Sequence, residues 1–242
     1  MLDTHCHIDL YPNPKLILTE CDKEGFPILS MTNLPSHFER GIPFFRNRNK
    51  VRQALGMHPL YAQHHNKEFP KFINNLAKTS YIGEVGLDFS KDGIDTKEIQ
   101  IQTFESVLNI IADQKKLLSI HSRRAEKEVL MLLKKYKIQN AIFHWYSGNV
   151  NLIDEIVQEG YYFSVNPAMI KSTSGKKIIS KIPRAFTLTE TDGPFINENG
   201  LPLKPGELFS VVNYLAQEWK VSNNEVENIV SYNFLRLINR LK

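Results

Sequence analysis

The chain opens with Met1-Leu2-Asp3-Thr4-His5-Cys6-His7-Ile8-Asp9, the stretch from which the rest of the fold is predicted. As a β-strand, it places both histidines on the same face, because side chains two residues apart point the same way. Two convergent imidazoles at a strand end form a rigid base for a metal ion such as zinc, iron, copper or nickel. A His-x-His pair alone is also typical of a core histidine bonded to backbone, so the assignment depends on residues later in the chain.

Short apolar runs alternate with longer segments of helical period along the whole chain. The predicted strands are Met1–His5, Phe26–Thr32, Val51–Gly56, Tyr81–Val85, Leu117–His121, Asn140–His144, Tyr161–Val165 and Ala185–Glu190. The predicted helices are Thr96–Lys115, Glu126–Tyr136, Asn151–Gln158, Pro205–Glu218 and Asn223–Leu241, the last with a capping box from Ser222 and Glu225. This α/β alternation predicts a (β/α)8 TIM barrel, whose usual length is about 250 residues. A doubly wound open sheet has the same local pattern and stays open as an alternative.

Composition limits the class of protein. The chain has 242 residues with 42% hydrophobic and 23% charged, without a composition break, which predicts a single domain over residues 1–242. A net charge of +4 permits an anionic substrate without requiring one. Two cysteines, no basic-then-apolar N-terminus and no apolar run near the ~18 residues of a membrane span predict a cytoplasmic protein with no membrane contact. Cys6 is interpreted as a small packing residue, since it faces away from His5 and His7.

Polar residues gather at the carboxyl ends of the predicted strands, which is where a (β/α)8 barrel builds its active site. The set is His5, His7, His58, Glu84, Asp88, His121, His144, Glu190 and Asp192. Five of the eight histidines belong to it, whereas His37, His64 and His65 lie in polar segments. Four histidines and two carboxylates are enough for two divalent ions that share a carboxylate. Two metals about 3.5–4 Å apart suit in-line displacement at phosphorus.

The last predicted strand ends in Asp192, followed by Gly193-Pro194. Asp192 can hold one metal and accept the proton of an attacking water. An aspartate that only forms a turn is the alternative interpretation, because Asp before Gly-Pro is a common turn sequence.

Six motifs occur together in the order and spacing of one known family. They are Asp-Thr-His-Cys-His, Gly-Met-His-Pro, Gly-Glu-Val-Gly-Leu-Asp, His-Ser-Arg, His-Trp-Tyr-Ser-Gly and Glu-Thr-Asp-Gly-Pro, from residue 3 to residue 194. On these motifs the chain resembles the TatD family of metal-dependent deoxyribonucleases, which are amidohydrolase-like (β/α)8 barrels. The resemblance implies a TIM barrel of the metal-dependent hydrolase type that cleaves DNA phosphodiester bonds, typically from a 3′ end and on single-stranded DNA.

The resemblance also implies the site residues. Metal positions are His5, His7, Glu84, His121, His144 and Asp192, with Glu84 bridging two divalent ions (Zn, Mn or Mg) and with Glu84 and Asp192 catalytic. Superfamily relatives that bridge metals with a modified lysine would need Lys where this chain has Glu84, which favours the nuclease branch. One stretch departs from the family pattern: Asn197–Gly206 replaces the usual Arg-Gly and Asn-x-Pro, so the substrate-facing loop is altered.

Three stretches resemble the QatD subgroup, the TatD-like members of Qat anti-phage defence operons. They are His-Cys-His-Ile-Asp-Leu-Tyr-Pro at the start, Ser-Ile-His-Ser-Arg-Arg-Ala at 119–125 and Leu-Thr-Glu-Thr-Asp-Gly-Pro-Phe at 188–195. This implies a role in antiviral defence and other Qat-type defence proteins as partners.

Candidate substrate contacts surround the metal positions. Arg123 and Arg124 open a helix, where guanidinium groups suit phosphate binding, although a surface salt bridge is the alternative. Trp145 and Tyr146 can stack a terminal base or can pack between loop and barrel. His58 is predicted to be a polar group near the metals that contacts phosphate.

Asp88 and Glu190 are predicted to orient metal-binding histidines, a role that metal sites generally need. Two rival functions stay open. One is a hydrolase of a small amide or ester with the same site, and the other is a non-catalytic scaffold subunit of a defence complex.

Overall fold

A barrel of parallel strands occupies the centre of the structure, a computed structural model that describes residues 1–198 and 200–241. Its strands are β1 (Asp3–Cys6), β2 (Ile28–Ser30), β3 (Val51–Gln53), β4 (Leu55–Met57), β5 (Tyr81–Gly86), β6 (Leu117–His121), β7 (Ala141–His144), β8 (Tyr162–Val165) and β9 (Thr187–Thr189). They form two parallel ladders, β1-β2-β3 and β4-β5-β6-β7-β8-β9. The predicted third strand is thus divided into β3 and β4 at Ala54, and the other predicted strands appear at their expected places.

Hydrogen bonds outside the ladders close the barrel on both sides. Between β9 and β1, the Thr4 hydroxyl donates to the Thr189 carbonyl at 3.0 Å, and the Thr189 hydroxyl donates to the Leu2 carbonyl. Between β2 and β5, the Thr32 amide donates to Gly83 O at 3.2 Å, while Glu84 N donates to Thr32 O at 3.1 Å. Because neither ladder has a free edge at these joints, the (β/α)8 prediction is confirmed and the open-sheet alternative is wrong.

Helices surround the barrel. They are α1 (Pro14–Glu24), α2 (Pro35–Phe45), α3 (His65–Asn75), α4 (Lys97–Ile111), α5 (Glu126–Lys135), α6 (Ile153–Gln158), α7 (Pro167–Lys171), α8 (Thr173–Lys181), α9 (Phe209–Trp219) and α10 (Asn223–Asn239). In the capping box of α10, Glu225 N donates to Ser222 Oγ at 3.3 Å and Ser222 N donates to a Glu225 carboxylate oxygen at 2.8 Å, as predicted. None of the helices in the described part of the chain is long and apolar enough to cross a membrane.

Several helices were not among those predicted, and local chemistry explains them. α1 begins because the Asn13 side chain accepts a hydrogen bond from Leu16 N and Pro14 starts the first turn, and it ends at Gly25 with a positive φ of 72°. α2 and α3 contain the internal prolines Pro43 and Pro70. An internal proline disfavours a helix in any prediction from local sequence. We therefore infer that tertiary packing makes these two segments helical.

The segment after β9 also differs from expectation. Within the predicted loop Asn197–Pro205, the strands β10 (Asn197–Glu198) and β11 (Leu201–Pro202) pair in antiparallel fashion; Asn199 lies outside the described residues. α9 begins at Phe209 rather than at the predicted Pro205, because Gly206 has a φ of +88°, which is not helical. The prediction of one domain over residues 1–242 stays a prediction, with Lys242 also outside the described residues.

Gly56→Ala tests the close approach of β4 to the end of β2. A Cβ at Gly56 would lie 1.5 Å from the carbonyl oxygen of Thr32, a backbone atom that cannot move without breaking the joint between β2 and β5. We expect the free energy of unfolding to fall by at least about 3 kcal/mol in a urea titration. Gly25→Ala is the control, since nothing lies within 4 Å of its Cβ, and its positive φ costs only about 1 kcal/mol. Equal losses in the two variants would contradict this packing.

Candidate metal centre

His5 and His7 leave β1 on the side that faces the barrel axis. Both side chains are buried, and their Nε2 atoms lie 3.2 Å apart. The His5 ring is oriented from its other nitrogen, since Nδ1 lies 2.7 Å from the hydroxyl of Ser119 on β6. Cys6 points the opposite way, with its thiol donating to Leu29 O at 3.5 Å within a separate apolar cluster. The predicted alternation of metal-facing histidines and a packing cysteine is therefore what the structure contains.

Glu84 on β5 lies at the centre of the site and is only 3% exposed. Its Oε2 faces β1, at 3.5 Å from His5 Nε2 and 3.2 Å from His7 Nε2. Its Oε1 faces the opposite side, where the nearest atoms are His58 Nε2 at 3.2 Å, His121 Nδ1 at 2.5 Å and His144 Nε2 at 2.8 Å. The two oxygens of one carboxylate thus serve two separate groups of histidines.

Asp192 completes the β1 side of the site. Its Oδ1 lies 3.6 Å from His5 Nε2 and 3.8 Å from His7 Nε2. The residue has a left-handed backbone conformation, φ +47°, and its amide donates to His5 O at 2.9 Å. This hydrogen bond holds the carboxyl group against β1, so Asp192 does more than form a turn.

The donor atoms fit divalent metal ions. Three sets of side chains have ligand atoms within 4.8 Å of one another: His5, His144 and Asp192; His5, His7 and Glu84; and His58, Glu84 and His121. Imidazole nitrogen with carboxylate oxygen is a donor set for zinc or manganese, and added carboxylates extend it toward magnesium. The Nε2 atoms of His5 and His7 are buried, lie 3.2 Å apart and face carboxylates rather than backbone. Such an ion would need this arrangement of donor atoms.

Burial and neighbouring charges shift the pKa values of Glu84 and Asp192 in opposite directions. Burial disfavours the charged form of Glu84, but the nearby imidazoles, above all those of His58 and His144, outweigh burial and hold its pKa well below its ordinary value. Burial raises the pKa of Asp192 to about 7, and the positive potential of His144 offsets only part of this effect. Glu84 is therefore charged, while Asp192 can accept and release a proton near neutral pH.

Comparison with known proteins gives the family. A family model described as TatD related DNase matches residues 2–239. The chain belongs to this family. Membership makes it a metal-dependent hydrolase, as predicted from the six motifs.

Two relatives and two solved structures show how far the likeness extends. The uncharacterized metal-dependent hydrolase MJ1582 of Methanocaldococcus jannaschii is 25% identical over 99% of this chain and 97% of that protein. Deoxyribonuclease TATDN3 of Homo sapiens is 25% identical over 100% of this chain and 96% of that protein. The crystal structure of YJJV, a TatD homolog from Escherichia coli K12, matches with a TM-score of 0.87 and 25% identity over 98% of this chain and 97% of that one. A TatD family hydrolase from Entamoeba histolytica shares the fold, with a TM-score of 0.82 and 16% identity over 98% and 97% of the two chains.

A second layer of acidic residues supports the histidines of this TatD site. Asp88 Oδ2 lies 2.8 Å from His121 Nε2, and Glu190 Oε1 lies 3.7 Å from His144 Nδ1. Both carboxylates therefore lie beside the histidines that they were predicted to orient. Glu190 is held in turn by the Ser164 hydroxyl and by Asn166 Nδ2, which donates at 2.9 Å.

The sequence interpretation missed three supporting residues. Ser119 precedes His121 by two residues on β6, so strand alternation alone could have identified it. Asp3 precedes His5 in the same way, and its carboxylate accepts hydrogen bonds from the Thr191 hydroxyl at 2.6 Å and from Gly206 N at 2.9 Å. Asn166 carries only the local signal of a helix N-cap, since its side chain accepts from Met169 N at 3.0 Å, and its hydrogen bond to Glu190 depends on the fold.

The predicted substrate residues separate into two sets. His58, Arg123 and Trp145 line a cavity of about 510 Å³ whose floor contains Glu84 and Asp192. His58 lies deeper than predicted, among the atoms that can hold a metal.

Arg124 and Tyr146 lie elsewhere. Arg124 is exposed and lines a separate surface depression beside α5. Tyr146 is 1% exposed, packs edge-on against Phe143 and Phe163, and donates from its hydroxyl to Asn149 O at 2.8 Å. The packing alternative for Tyr146 is therefore the one that the structure adopts, because its ring has no face open to a nucleotide.

Glu190→Gln tests the support of the TatD site. The Glu190 carboxylate accepts from Ser164, Asn166 and the Trp145 amide. A glutamine has no charge, so these hydrogen bonds lose their charge assistance, and its NH₂ group takes the place of the oxygen that accepts from Ser164. We expect the free energy of unfolding of the chelator-treated protein to fall by about 2 kcal/mol in urea. The same change at Glu198, whose partner is the exposed Lys171, should cost less than about 0.5 kcal/mol.

Proposed function

We propose that the chain hydrolyses phosphodiester bonds of DNA, trimming single-stranded DNA from its 3′ end with the help of two divalent ions. The observation that carries the proposal is the position of Glu84, whose two carboxylate oxygens face two groups of histidines. A carboxylate shared by two groups of histidines could bind two metal ions. Paired metal ions are typical of enzymes that catalyse nucleophilic displacement at phosphorus. The family description and the deoxyribonuclease relative support DNA as the substrate.

The proposed metal positions are those implied by the family motifs: His5, His7, Glu84, His121, His144 and Asp192. Glu84 belongs to both positions, and His58 lies close enough to join the His121 side. Zinc, manganese and magnesium all fit these donors. When bound, two such ions polarise phosphoryl oxygens, lower the pKa of water and stabilise the leaving oxygen.

Residues of the chain would supply proton transfer, orientation of the histidines and a phosphate contact. Asp192 is placed to accept the proton of the attacking water, because burial raises its pKa to about 7. Asp88 is hydrogen-bonded to His121 Nε2 at 2.8 Å and orients that ring, while Glu190 lies 3.7 Å from His144 Nδ1 and faces the ring with its charge. Arg123 lies at the cavity wall, where its guanidinium group can bind a phosphate next to the scissile bond.

The cavity favours a polynucleotide over a small amide or ester. Arg123 is half exposed and its nearest carboxylate, Asp92 Oδ2, is 3.8 Å away, so its charge remains available to an incoming anion. A neutral amide or ester could accept a hydrogen bond from this guanidinium group but would gain no charge–charge attraction from it. Trp145, also on the wall, offers an aromatic surface that suits a base.

In the cell, we propose a cytoplasmic enzyme of the QatD type that acts in anti-phage defence with other Qat-type proteins. Support comes from the three sequence stretches that resemble this subgroup, including Ser-Ile-His-Ser-Arg-Arg-Ala at 119–125. The buried free thiols of Cys6 and Cys21 fit a reducing compartment.

The number of metal ions bound per chain tests whether two metal positions share Glu84. We expect two divalent ions per chain in the unaltered protein, none above background in Glu84→Ala, and one in Asp192→Asn, because the set of His58, Glu84 and His121 does not include Asp192. Elemental analysis by mass spectrometry after gel filtration measures this. Glu128→Ala, at a partly exposed position on α5, is the matched control. Circular dichroism should show an intact barrel in each variant, and two ions retained in Glu84→Ala would refute the shared site.

Degradation of labelled oligonucleotides tests the activity. We expect metal-dependent loss of a 3′ label before a 5′ label on single-stranded DNA, no loss with EDTA, and a rate lower by about a hundredfold or more in Asp192→Asn. Asp95→Asn, an exposed aspartate, is the control. Apparent affinity should fall steeply with salt, which a small neutral substrate would not show.

Three other results would change the proposal. Loss of the 5′ label first would reverse the polarity. No cleavage with two ions still bound would point to another substrate, unless adding the companion operon proteins restores cleavage, which would support the defence role. No cleavage and no metal would favour the scaffold function.

A further inference from the structure

Phe195 places an exposed aromatic ring at the mouth of the metal-centre cavity. It follows the turn after β9, keeps 56% of its surface exposed and forms part of the cavity wall. An aromatic side chain buries a large apolar area when it can, so exposure on this scale at a cavity mouth is typical of a ligand contact. The metal centre and the barrel core leave the outer face of this ring unused.

The backbone on both sides of Phe195 is fixed. Phe195 N donates to Asp192 O at 2.9 Å, and Leu203 N donates to the carbonyl of the next residue, Ile196, at 2.9 Å. Ile196 itself is buried, and a Cβ at Gly193 would lie 2.3 Å from the carbonyl oxygen of Leu203, so the turn is tightly packed. The exposure of Phe195 is therefore a feature of an ordered turn.

The ring also lies close to the reacting centre. Its centroid is 5.1 Å from that of His7, with an angle of 80° between the two ring planes. His7 Nε2 is 3.2 Å from Glu84 Oε2. A flat group that stacks on Phe195 would therefore be separated from the candidate metal positions by no more than the length of one nucleotide.

Apolar side chains from two other loops face the same space. Trp145, after β7, is 36% exposed, and Leu60 and Tyr61, after β4, line the same cavity. The cavity thus combines an apolar upper wall with a charged floor around Glu84. A nucleotide has the same division, because a base has apolar faces and its phosphate is anionic.

We propose that Phe195 is a stacking platform for an unpaired base of the strand that is being cleaved, with Trp145 on the wall of the same cavity. This proposal rests on the proposed function, which it deepens by naming the feature of DNA that the site selects. The phosphate of the stacked nucleotide would face the proposed metal positions, whose cations would offset its repulsion from the carboxyl groups of Glu84 and Asp192.

Stacking on Phe195 requires an open base face. In a duplex, each base is covered above and below by its neighbours, so a paired end has to be unstacked before it can occupy the cavity. A single-stranded end has no such cost. Phe195 therefore selects single-stranded ends through base stacking, independently of base sequence, because every base has a π-face.

Kinetics on two matched oligonucleotides test the platform. One carries ordinary thymidines at its 3′ end, and the other has the same length and phosphates but lacks the 3′-terminal bases. In Phe195→Ala we expect KM for the thymidine oligonucleotide to rise on the order of ten- to a hundredfold with kcat unchanged. For the abasic oligonucleotide, KM should be high in the unaltered protein and nearly the same in the variant. Phe195→Trp should restore low KM.

Phe209→Ala is the control, since Phe209 is 70% exposed and lies outside the described cavity wall; its KM should not change. An unchanged KM for the thymidine oligonucleotide in Phe195→Ala, or an equal rise for both oligonucleotides, would overturn the platform. If the unaltered protein cleaves neither oligonucleotide, the proposed function fails, and fluorescence anisotropy with the same two labelled strands decides the platform separately. Weaker binding of only the base-bearing strand by Phe195→Ala supports it; equal binding overturns it.

Discussion

A buried carboxylate cannot stay charged without positive or hydrogen-bonding partners, and Glu84 satisfies this constraint with five imidazoles. Those rings come from β1, the segment after β4, β6 and β7, so no two neighbouring strands could supply them. Only a closed barrel brings all these strand ends around one point on β5. The same carboxylate separates the imidazoles into two groups, because its two oxygens point in opposite directions. The closure of the sheet therefore brings together the buried histidines that keep this one charge inside the protein.

Residues at strand ends were the most predictable part of the chain. Strand alternation gives the direction of a side chain, and the barrel places all carboxyl ends at one rim, so His5, Glu84 and Asp192 could be assigned together from local pattern and family motifs. Positions outside the strands were harder, since the residue next to a ligand in sequence need not lie next to it in space. Trp145 has a φ of +38°, and after this reversal Tyr146 returns to the core. Arg123 and Arg124 separate in the same way, because Arg124 has a φ of +57° that turns the chain toward α5.

The helices show why local pattern has limits. α4, α5, α6, α9 and α10 carry an apolar stripe that any helical projection detects. α2 and α3 are also amphipathic, but their internal prolines argue against a helix at the level of sequence. The break at Ala54 has a similar origin, since β3 pairs with β2 whereas β4 pairs with β5. The antiparallel pair β10–β11 was missed because strands of two residues have no measurable period.

The joint between β1 and β9 has a consequence for how the enzyme is made. Asp3 accepts hydrogen bonds from residues 188 and 203 positions later in the chain, Thr191 N and Gly206 N. A ribosome that has synthesised β1 has exposed both histidines of the first pair, but their acidic partner Asp192 does not yet exist. The nascent chain therefore lacks a complete site until almost the whole barrel has been translated, and contacts of such long sequence separation form late in folding. A nascent chain that has not reached the end of β9 thus lacks the carboxyl group of Asp192, so the topology of the barrel delays completion of the hydrolase site until late in synthesis.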